Sequence, residues 1–458
     1  MLLTLTEVSR ILGCQLHDAS VVTGVSIDTR TLLPGALFAA IRGTKVDGHD
    51  YLSAAKERGA AGAIVETINA SVDLPQICVT NTVDALGLLA NAVRRQQAPN
   101  VIAITGSYGK TTTKDMIAAV HGYLRSSHAT IGNFNTEIGL PLTILSAPQD
   151  VETLVLEMGM RGSGQIAELV RIAEPNIGVI TNIGSAHIEL LGSRDAIAAA
   201  KSELFRGLAP DATAVYSEAI DHRDVVAQSA SHCSRLVVGE SESCDLLISN
   251  IKVSRLESSF TITYKHESAN AVVASPARFA ATNGALAIGT GLAAGMTLTD
   301  CVAGLANWRP SEGRMRPRNM ANGAVILSDA YNAAPEAMLA AISVLADVGS
   351  QGTGGSWAVL GEMRELGVET KQWHHAVGEA VFSSGIQHLV VVGQAAVDYR
   401  TGALIAGMDP DHIHFFETPE NAAAVLQLVV GTNDVVLIKG SRAAGLDKIV
   451  DSLCGGTS

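Results

Sequence analysis

Positive charge is in short supply in this chain. Lysine and arginine number 32 against 45 aspartates and glutamates, a formal net charge of −13 at pH 7. A nucleic-acid binder needs a basic stripe, and an anionic membrane surface repels such a chain. A phosphate-bearing ligand stays possible, because a few local cations suffice for one. Cysteine is scarce and scattered: Cys14, Cys78, Cys233, Cys244, Cys301 and Cys454 form no C-x-x-C pair. That spacing argues against a disulfide framework or a zinc site and leaves isolated thiols. Aromatic residues make up 4% of the chain, so Ala, Val, Ile and Leu must fill its cores. No apolar run approaches the roughly 18 uninterrupted residues of a membrane-spanning helix. The stretch MLLTLTEVSRILG carries Glu7 and Arg10 and reads as a capped helix rather than a secretory leader, so a cytoplasmic protein is expected.

What is present is abundant small and aliphatic sequence. The 458 residues are 47% hydrophobic, and the 44 glycines sit mostly at the ends of apolar runs. At about 150 residues per domain the prior is roughly three domains. GVSIDTR, GALFAAI, AGAIVE and QICVTN read as short strands, DYLSAAKERG and TVDALGLLANAVRRQQ as helices, and APN as a plausible boundary. From Val101 the apolar runs VIAITG, TLVLEMG and IGVITNIG read as buried strands. They alternate with the helical patterns GQIAELVRIA and RDAIAAAKSELFRGL, which predicts a parallel sheet with helices on both faces. Residues 246–273 alternate in short runs and are expected to form an antiparallel insert, followed by the small-residue helix ARFAATNGALAIGTGLAAG. NWRPSEGRMRPRNMANG reads as a break. Beyond it AVILSDAY, SWAVLGEM, HLVVVG, HIHFFET and DVVLIKGS mark a second doubly wound unit, with residues 349–356 as a helix-to-strand loop. The expected class is α/β with three domains, at 1–83, 84–312 and 313–458.

Chemistry concentrates at strand ends, where ligands of open parallel sheets collect. In ITGSYGKTTTKDM a strand runs into Gly106, Ser107, Tyr108 and Gly109, and Lys110, Thr111 and Thr112 open a helix. Glycines let backbone N–H groups approach phosphate oxygens, with the helix dipole behind them. Lys110 would add charge, and the Thr111 hydroxyl a ligand for Mg²⁺. The loop is two residues shorter than the usual G-x-x-x-x-G-K-[ST]. Glu157 ends the TLVLEMG strand on the same rim, where a hard carboxylate suits Mg²⁺ but strand-end acids are also common. His187 follows the next strand and reads equally as a structural hydrogen-bonder. Lys201 is the only charge on a small-residue helix face; most such lysines are simply solvated. Asp329, Tyr331 and Asn332 in SDAYNAAPEAM, with Lys439, Ser441 and Arg442 in KGSRAAG, suit a carboxylate or phosphate, or ordinary capping.

Taken together, these stretches resemble the Mur ligases, ATP-dependent amide ligases of peptidoglycan precursor synthesis, over nearly the whole chain. TGSYGKTTTK has their short T-G-x-x-G-K-T loop. SIDTRTLLPGALF and DGHD look like the UDP-substrate domain of the two later enzymes of that pathway. GNFNTEIGLPLT, LEMG, TNIGSAHIELLG and AKSELF match the central ATPase domain, and GRM, DAYNAAPEAM, GEMRELG and KGSRAAG the C-terminal domain, which the resemblance makes Rossmann-like. The diamino-acid adders typically carry D-N-P-R, absent here. D-[SA]-Y-N-A-x-P with K-G-S-R resembles the branch that adds D-alanyl-D-alanine to a UDP-N-acetylmuramoyl-tripeptide.

The resemblance implies roles residue by residue. Gly106 to Thr112, Asn283, Arg314 and Asp329 would bind ATP. Thr111, Glu157, His187 and Lys201 would hold Mg²⁺, Lys201 as the carbamate that several members carry at this position, and Lys110, His187 and Lys201 would carry catalysis. Thr29, Arg30, Lys45, Asp47, Gly48, His49, Asn135 and Thr136 would serve the UDP-linked substrate, and Tyr331, Asn332, Lys439, Ser441 and Arg442 the dipeptide. The chain departs from the family's G-R-H-N-x-x-N helix: Arg278 and Asn283 match, while Phe279 and Ala280 stand where His and Asn are usual. A monomer with a hinge near residue 312 is expected, with no nucleic-acid partner and no membrane insertion. Another Mur-type ligase, a kinase and a non-catalytic nucleotide-binding module remain alternatives.

Overall fold

Three main sheets follow one another along the chain, each fed by apolar runs that end in polar loops, besides a two-stranded antiparallel pair of Leu3–Thr4 with Val21–Val22; the computed structural model describes residues 3–455. Met1 and Leu2 of the expected N-terminal helix therefore lie outside the described residues. The helix itself spans Leu5–Ile11 and opens with a reciprocal cap. Thr4 Oγ1 accepts from the Glu7 N–H at 3.2 Å, and Glu7 Oε2 accepts from the Thr4 N–H at 2.7 Å. The first sheet is all parallel, in the order Gly24–Ser26, Ala36–Ala39, Gly62–Val65, Gln76–Cys78.

The helix Thr82–Gln97 leads out of that sheet. Asn81 Oδ1 caps it by accepting from the N–H groups of Val83 and Asp84. Its apolar stripe of Ala85, Leu86, Leu89, Ala90 and Val93 is buried in one core with Val101, Ala103, Leu140, Ile144 and Leu169. The first sheet is thereby joined to the second through continuous packing.

The second sheet has nine strands. From one edge, Ser127–Ala129, Thr153–Glu157, Asn100–Thr105, Ile177–Ile180, Thr213–Ser217, Ser234–Gly239 and Leu246–Val253 run parallel. Ser258–Tyr264 and Glu267–Val273 then pair antiparallel. The stretch expected to be an insert thus extends the sheet, because Val238 and Gly239 pair in parallel with Leu246 and Leu247. Its inward residues, Leu246, Ile248, Phe260, Ile262, Ala271 and Val273, join the core beneath the helix Arg278–Ala293. Small residues let that helix lie close: a Cβ on Gly291 would stand 2.5 Å from Cys301 Sγ. The run expected as one helix around Lys201 is two, Arg194–Lys201 and Glu203–Arg206, separated at Ser202.

The third sheet has the order Arg316–Asn319, Val325–Asp329, Val435–Lys439, Ser356–Leu360, His388–Val392, Ile413–Phe416, and only its first strand is antiparallel. That strand lies within the stretch read as a break. Pro317 is tolerated there because an edge strand has one unpaired side. Among the described residues no helix is long and apolar enough to cross a membrane.

One buried histidine gives the second sheet a pH dependence. His121, on the helix Lys110–His121, is fully buried; Nε2 lies 3.2 Å from Thr290 Oγ1, while Nδ1 has no partner among the described residues. Thr290 Oγ1 already donates to the Ala287 carbonyl, so the imidazole donates from Nε2. Burial, helped by Arg125, pushes its pKa down to about 4. The unfolded chain takes up this proton first, so stability falls as pH drops from about 6.5 to about 4, by roughly 2–4 kcal/mol in all. Chemical denaturation of His121→Asn against the parent should show a flatter acid limb; identical acid limbs would contradict this assignment.

Candidate active site

Three strands of the second sheet, ending at Thr105, Glu157 and Ile180, deliver their following loops to one rim. The loop after Thr105 must be glycine at its first position. Gly106 has φ 155°, and a Cβ there would sit 1.9 Å from Thr181 Oγ1. Gly109, at φ 76°, turns the chain into the helix that Lys110 begins.

The next loop but one braces this turn. Asn182 Oδ1 accepts from the N–H groups of Ser107 and Tyr108 at 3.1 and 3.0 Å, and its Nδ2 donates to the Tyr108 carbonyl at 2.7 Å. Thr181 Oγ1 donates to that carbonyl too, at 2.7 Å. Sequence reasoning missed both residues, although T-N-I-G was the visible signal. Asn283 lies over the loop, with both amide atoms 3.7 Å from where a Gly109 Cβ would stand. Of the two residues that depart from the usual helix motif, Phe279 is exposed and Ala280 is buried in the core.

Lys110 curls back and donates from Nζ to the Gly106 carbonyl at 2.8 Å. Burial lowers its pKa, Glu157 opposes that, and Arg314 adds to it. Thr111 Oγ1 donates to Glu157 Oε2 at 2.9 Å, and Asn135 Nδ2 donates to Glu157 Oε1 at 2.8 Å. Thr111 and Glu157 thus offer a hydroxyl and a carboxylate side by side, a hard-oxygen pair that fits Mg²⁺, which usually keeps one or two protein carboxylates alongside phosphate and water. Among the described residues no three His, Cys, Asp or Glu side chains converge as a metal cluster, so such an ion would depend on its ligand phosphates. Lys114, a further missed residue, is buried and donates to the Thr130 carbonyl at 2.7 Å.

Lys201 is not a solvated helix lysine: it is 2% exposed. Burial, with the charge of Lys110 nearby, holds its pKa well below the usual lysine range, and among the described residues no carboxylate offsets that cost. His187 joins the pair. Its backbone is left-handed, φ 67°, and its pKa is lowered by burial first and also by Lys110 and Lys201, against the pull of Glu365. Nδ1 stands 2.9 Å from Glu365 Oε2 but outside hydrogen-bond geometry. Glu365 belongs to the third sheet's loops and was not foreseen.

A second cross-domain arm comes from Arg314. Its Nη2 donates to Thr111 Oγ1 at 3.1 Å, and its guanidinium lies 3.8 Å from the centre of the Tyr331 ring. Asp329 holds the base of this arm, accepting from the Met315 N–H at 3.0 Å and from Lys439 Nζ at 2.6 Å. Lys439 is 3% exposed and also donates to the Asn332 carbonyl, so it fastens the two C-terminal motifs together.

The comparisons follow this layout. The Mur ligase family catalytic domain matches residues 21–102, the Mur ligase middle domain 104–291, and the Mur ligase glutamate ligase domain 313–442. The chain is 34% identical to UDP-N-acetylmuramoyl-tripeptide–D-alanyl-D-alanine ligase of Escherichia coli (strain K12) over 98% of each sequence. The Bacillus subtilis (strain 168) protein of that name is also 34% identical, over 95% of this chain and 94% of its own. This chain belongs to the Mur ligase family. Among solved structures, MurF from Acinetobacter baumannii superposes with a TM-score of 0.90 at 28% identity, covering 99% of each chain. MurF ligase from Thermotoga maritima in complex with ADP gives 0.83 at 29%, covering 94% of this chain and 96% of that one.

In this Mur ligase the remaining expected residues lie in the loops of the first sheet, next to Asn135, and in the C-terminal turn. Arg30 is exposed, with Nε and Nη2 on Asp28 at 2.9 and 2.6 Å, leaving three N–H donors. Thr29 is half-buried beside it, and Lys45 is exposed. A Cβ on Gly48 would meet Ile41 N at 2.6 Å. Both ring nitrogens of His49 are engaged, Nδ1 with Asp47 at 2.6 Å and Nε2 accepting from the Glu66 N–H at 2.9 Å, so the ring ties its loop to the end of the strand Gly62–Val65. Thr136 is exposed next to Asn135. In the C-terminal turn Ser441 is buried, its hydroxyl without a partner among the described residues, while Arg442 is exposed 3.6 Å from Asp447.

Proposed function

We propose that this Mur ligase joins D-alanyl-D-alanine to UDP-N-acetylmuramoyl-tripeptide with ATP, giving a UDP-muramoyl-pentapeptide for peptidoglycan. The observation that carries the reaction is the gathering of Lys110, Lys201 and His187 on one rim, with Arg314 of the C-terminal domain reaching Thr111. The substrates rest on the full-length likeness to relatives of that name.

A peptide carboxylate does not acylate amines near neutral pH. Transfer of the γ-phosphoryl group of ATP to a carboxylate oxygen makes an acyl phosphate and ADP. The dipeptide amine then attacks the carbonyl carbon, loses a proton, and the C–O bond to phosphate breaks. The glycine loop would seat the phosphates and Lys110 would neutralise charge on the transferring group. Mg²⁺, when bound, would supply electrostatic neutralisation of the phosphates beside Thr111 and Glu157. Arg314 and the C-terminal domain would keep water from the acyl phosphate. Residues around 312, including Gly313 at φ 67° and Met315 at φ 52°, are the hinge we assign. Lys201, buried without an acidic partner, is suited to carry a carbamate. The protein then acts in the cytoplasm, as a monomer.

The three sheets divide the labour: residues 1–83 for the uridine nucleotide, 84–312 for ATP, 313–458 for the dipeptide. Arg30 keeps free donors for a diphosphate, and Arg442 faces solvent for a carboxylate. Arg442→Ala should raise KM for D-alanyl-D-alanine about tenfold while leaving KM for the UDP-linked substrate within about twofold, the loss expected of one charge-assisted contact. Arg30→Ala should do the reverse. Equal effects of both variants on both substrates would reject the division. The reaction itself is read by mass spectrometry. A UDP-linked product heavier by a dipeptide less water supports ligation; a phosphorylated final product would make the protein a kinase.

A further inference from the structure

The helix Pro335–Gly349 carries a carboxylate that the scheme above leaves unused. Glu336, its second residue, accepts at Oε1 from the backbone N–H of Ser185 at 2.8 Å, across the gap between the second and third sheets. Ser185 is 3% exposed and lies two residues before His187. Gly184 beside it is hemmed in: a Cβ would stand 3.0 Å from Tyr108 Cε1 and 3.3 Å from both Glu336 Cδ and Ser107 Cβ. The Gly184 N–H in turn donates to Ser107 Oγ at 2.8 Å. One side chain of the C-terminal domain therefore presses on the turn that carries His187 and, through it, on the phosphate loop.

The contact is costly in a way that an ordinary helix cap is not. Glu336 Oε2 is buried with no hydrogen bond among the described residues. A buried carboxylate oxygen without a partner is unfavourable, and a capping Glu at a helix start turns toward its own helix's N–H groups. Here the carboxylate is spent on a neighbouring domain instead.

We propose that Glu336 is a positioning residue that couples seating of the C-terminal domain to the His187 turn. When the domain docks, Oε1 takes the Ser185 N–H and fixes residues 184–187 against Ser107 and Tyr108, which holds His187 in its left-handed conformation beside Lys110 and Lys201. When the domain swings away, that N–H loses its acceptor and the turn loosens. This rests on the ligase reading for its kinetic consequence, but not for the contact itself.

The test compares Glu336→Ala and Glu336→Gln in the full chain. Glutamine keeps an acceptor oxygen for Ser185 while removing the charge. Glu336→Ala should lower kcat about tenfold, the effect of a misplaced catalytic group, with KM for ATP and the UDP-linked substrate within about twofold. Glu336→Gln should recover kcat to within about threefold of the parent, since the acceptor is retained. Hydrogen–deuterium exchange with ADP present should rise in the peptide containing Ser185–Ile188 for the alanine variant only. Unchanged kcat in Glu336→Ala, a glutamine variant as slow as alanine, or unchanged exchange would each overturn the proposal. If the parent made no amide at all, the ligase reading would fail, while the exchange comparison would still decide whether Glu336 holds the turn.

Discussion

Lys110→Ala should all but abolish turnover, lowering it at least about 10²-fold. Its ammonium is the only side-chain cation seated within the glycine loop itself, 2.8 Å from the Gly106 carbonyl, on a stretch where even a methyl group on Gly106 would strike Thr181. Phosphoryl transfer spreads negative charge over the moving group, and a fixed positive charge in a partly water-free site stabilises that charge without reorganising. Loss of one such preorganised donor typically costs about 10²–10³ in kcat. The fold should survive, because Lys110 begins a helix whose buried face is made by Thr113, Met116, Ile117 and Val120. Tm within a few degrees of the parent and turnover at least 10²-fold down is the expected pair of results. Near-normal turnover would remove the phosphate-loop assignment.

Lys201→Ala should be nearly as damaging and should be rescued differently. A lysine that is 2% exposed, beside another lysine and with no carboxylate to pair with, is costly to keep charged. Burial shifts it toward the neutral amine, the form that adds CO₂ to give a carbamate and a proton. A carbamate would turn this uncompensated cation into an anion beside Lys110 and supply oxygen ligands for Mg²⁺. Stripping CO₂ at mildly acidic pH should then lower activity, and bicarbonate should restore it. Lys201→Ala should lose about 10²-fold or more in kcat and regain part of it with a short carboxylic acid, which mimics the missing oxygens. Full activity of Lys201→Ala would return the residue to structural packing.

The parts of the site that were legible in the sequence are those whose chemistry is local. A strand, two glycines, Lys110 and Thr111 follow one another within a dozen residues, so the phosphate loop could be read directly. Glu157 and His187 were placed on the rim because each follows an apolar strand, and the parallel sheet brings such ends together. Lys201 shows the limit of pattern reading: alanines around a lysine look like an exposed helix face, yet Lys201 is buried with Ile197, Ala198 and Ala200 at the end of a helix that stops at Ser202. The antiparallel strands 246–273 looked like a separate insert because strand alternation says nothing about which edge they join. Asn182, Glu336, Glu365 and the Asp329–Lys439 pair were missed because their partners lie 74–178 residues away or across the gap between sheets, distances no sequence window spans. His49, expected beside the UDP-linked substrate, spends both ring nitrogens on Asp47 and on the Glu66 N–H, contacts that D-G-H does not announce.

The most direct test of the account is phosphate release from ATP against a panel of UDP-muramoyl peptides, each with and without D-alanyl-D-alanine. The account predicts release that requires both a UDP-N-acetylmuramoyl-tripeptide and the dipeptide, and that appears one-for-one with pentapeptide product. Release that is indifferent to the dipeptide, or that is driven by a shorter UDP-muramoyl peptide with a single amino acid, would contradict it.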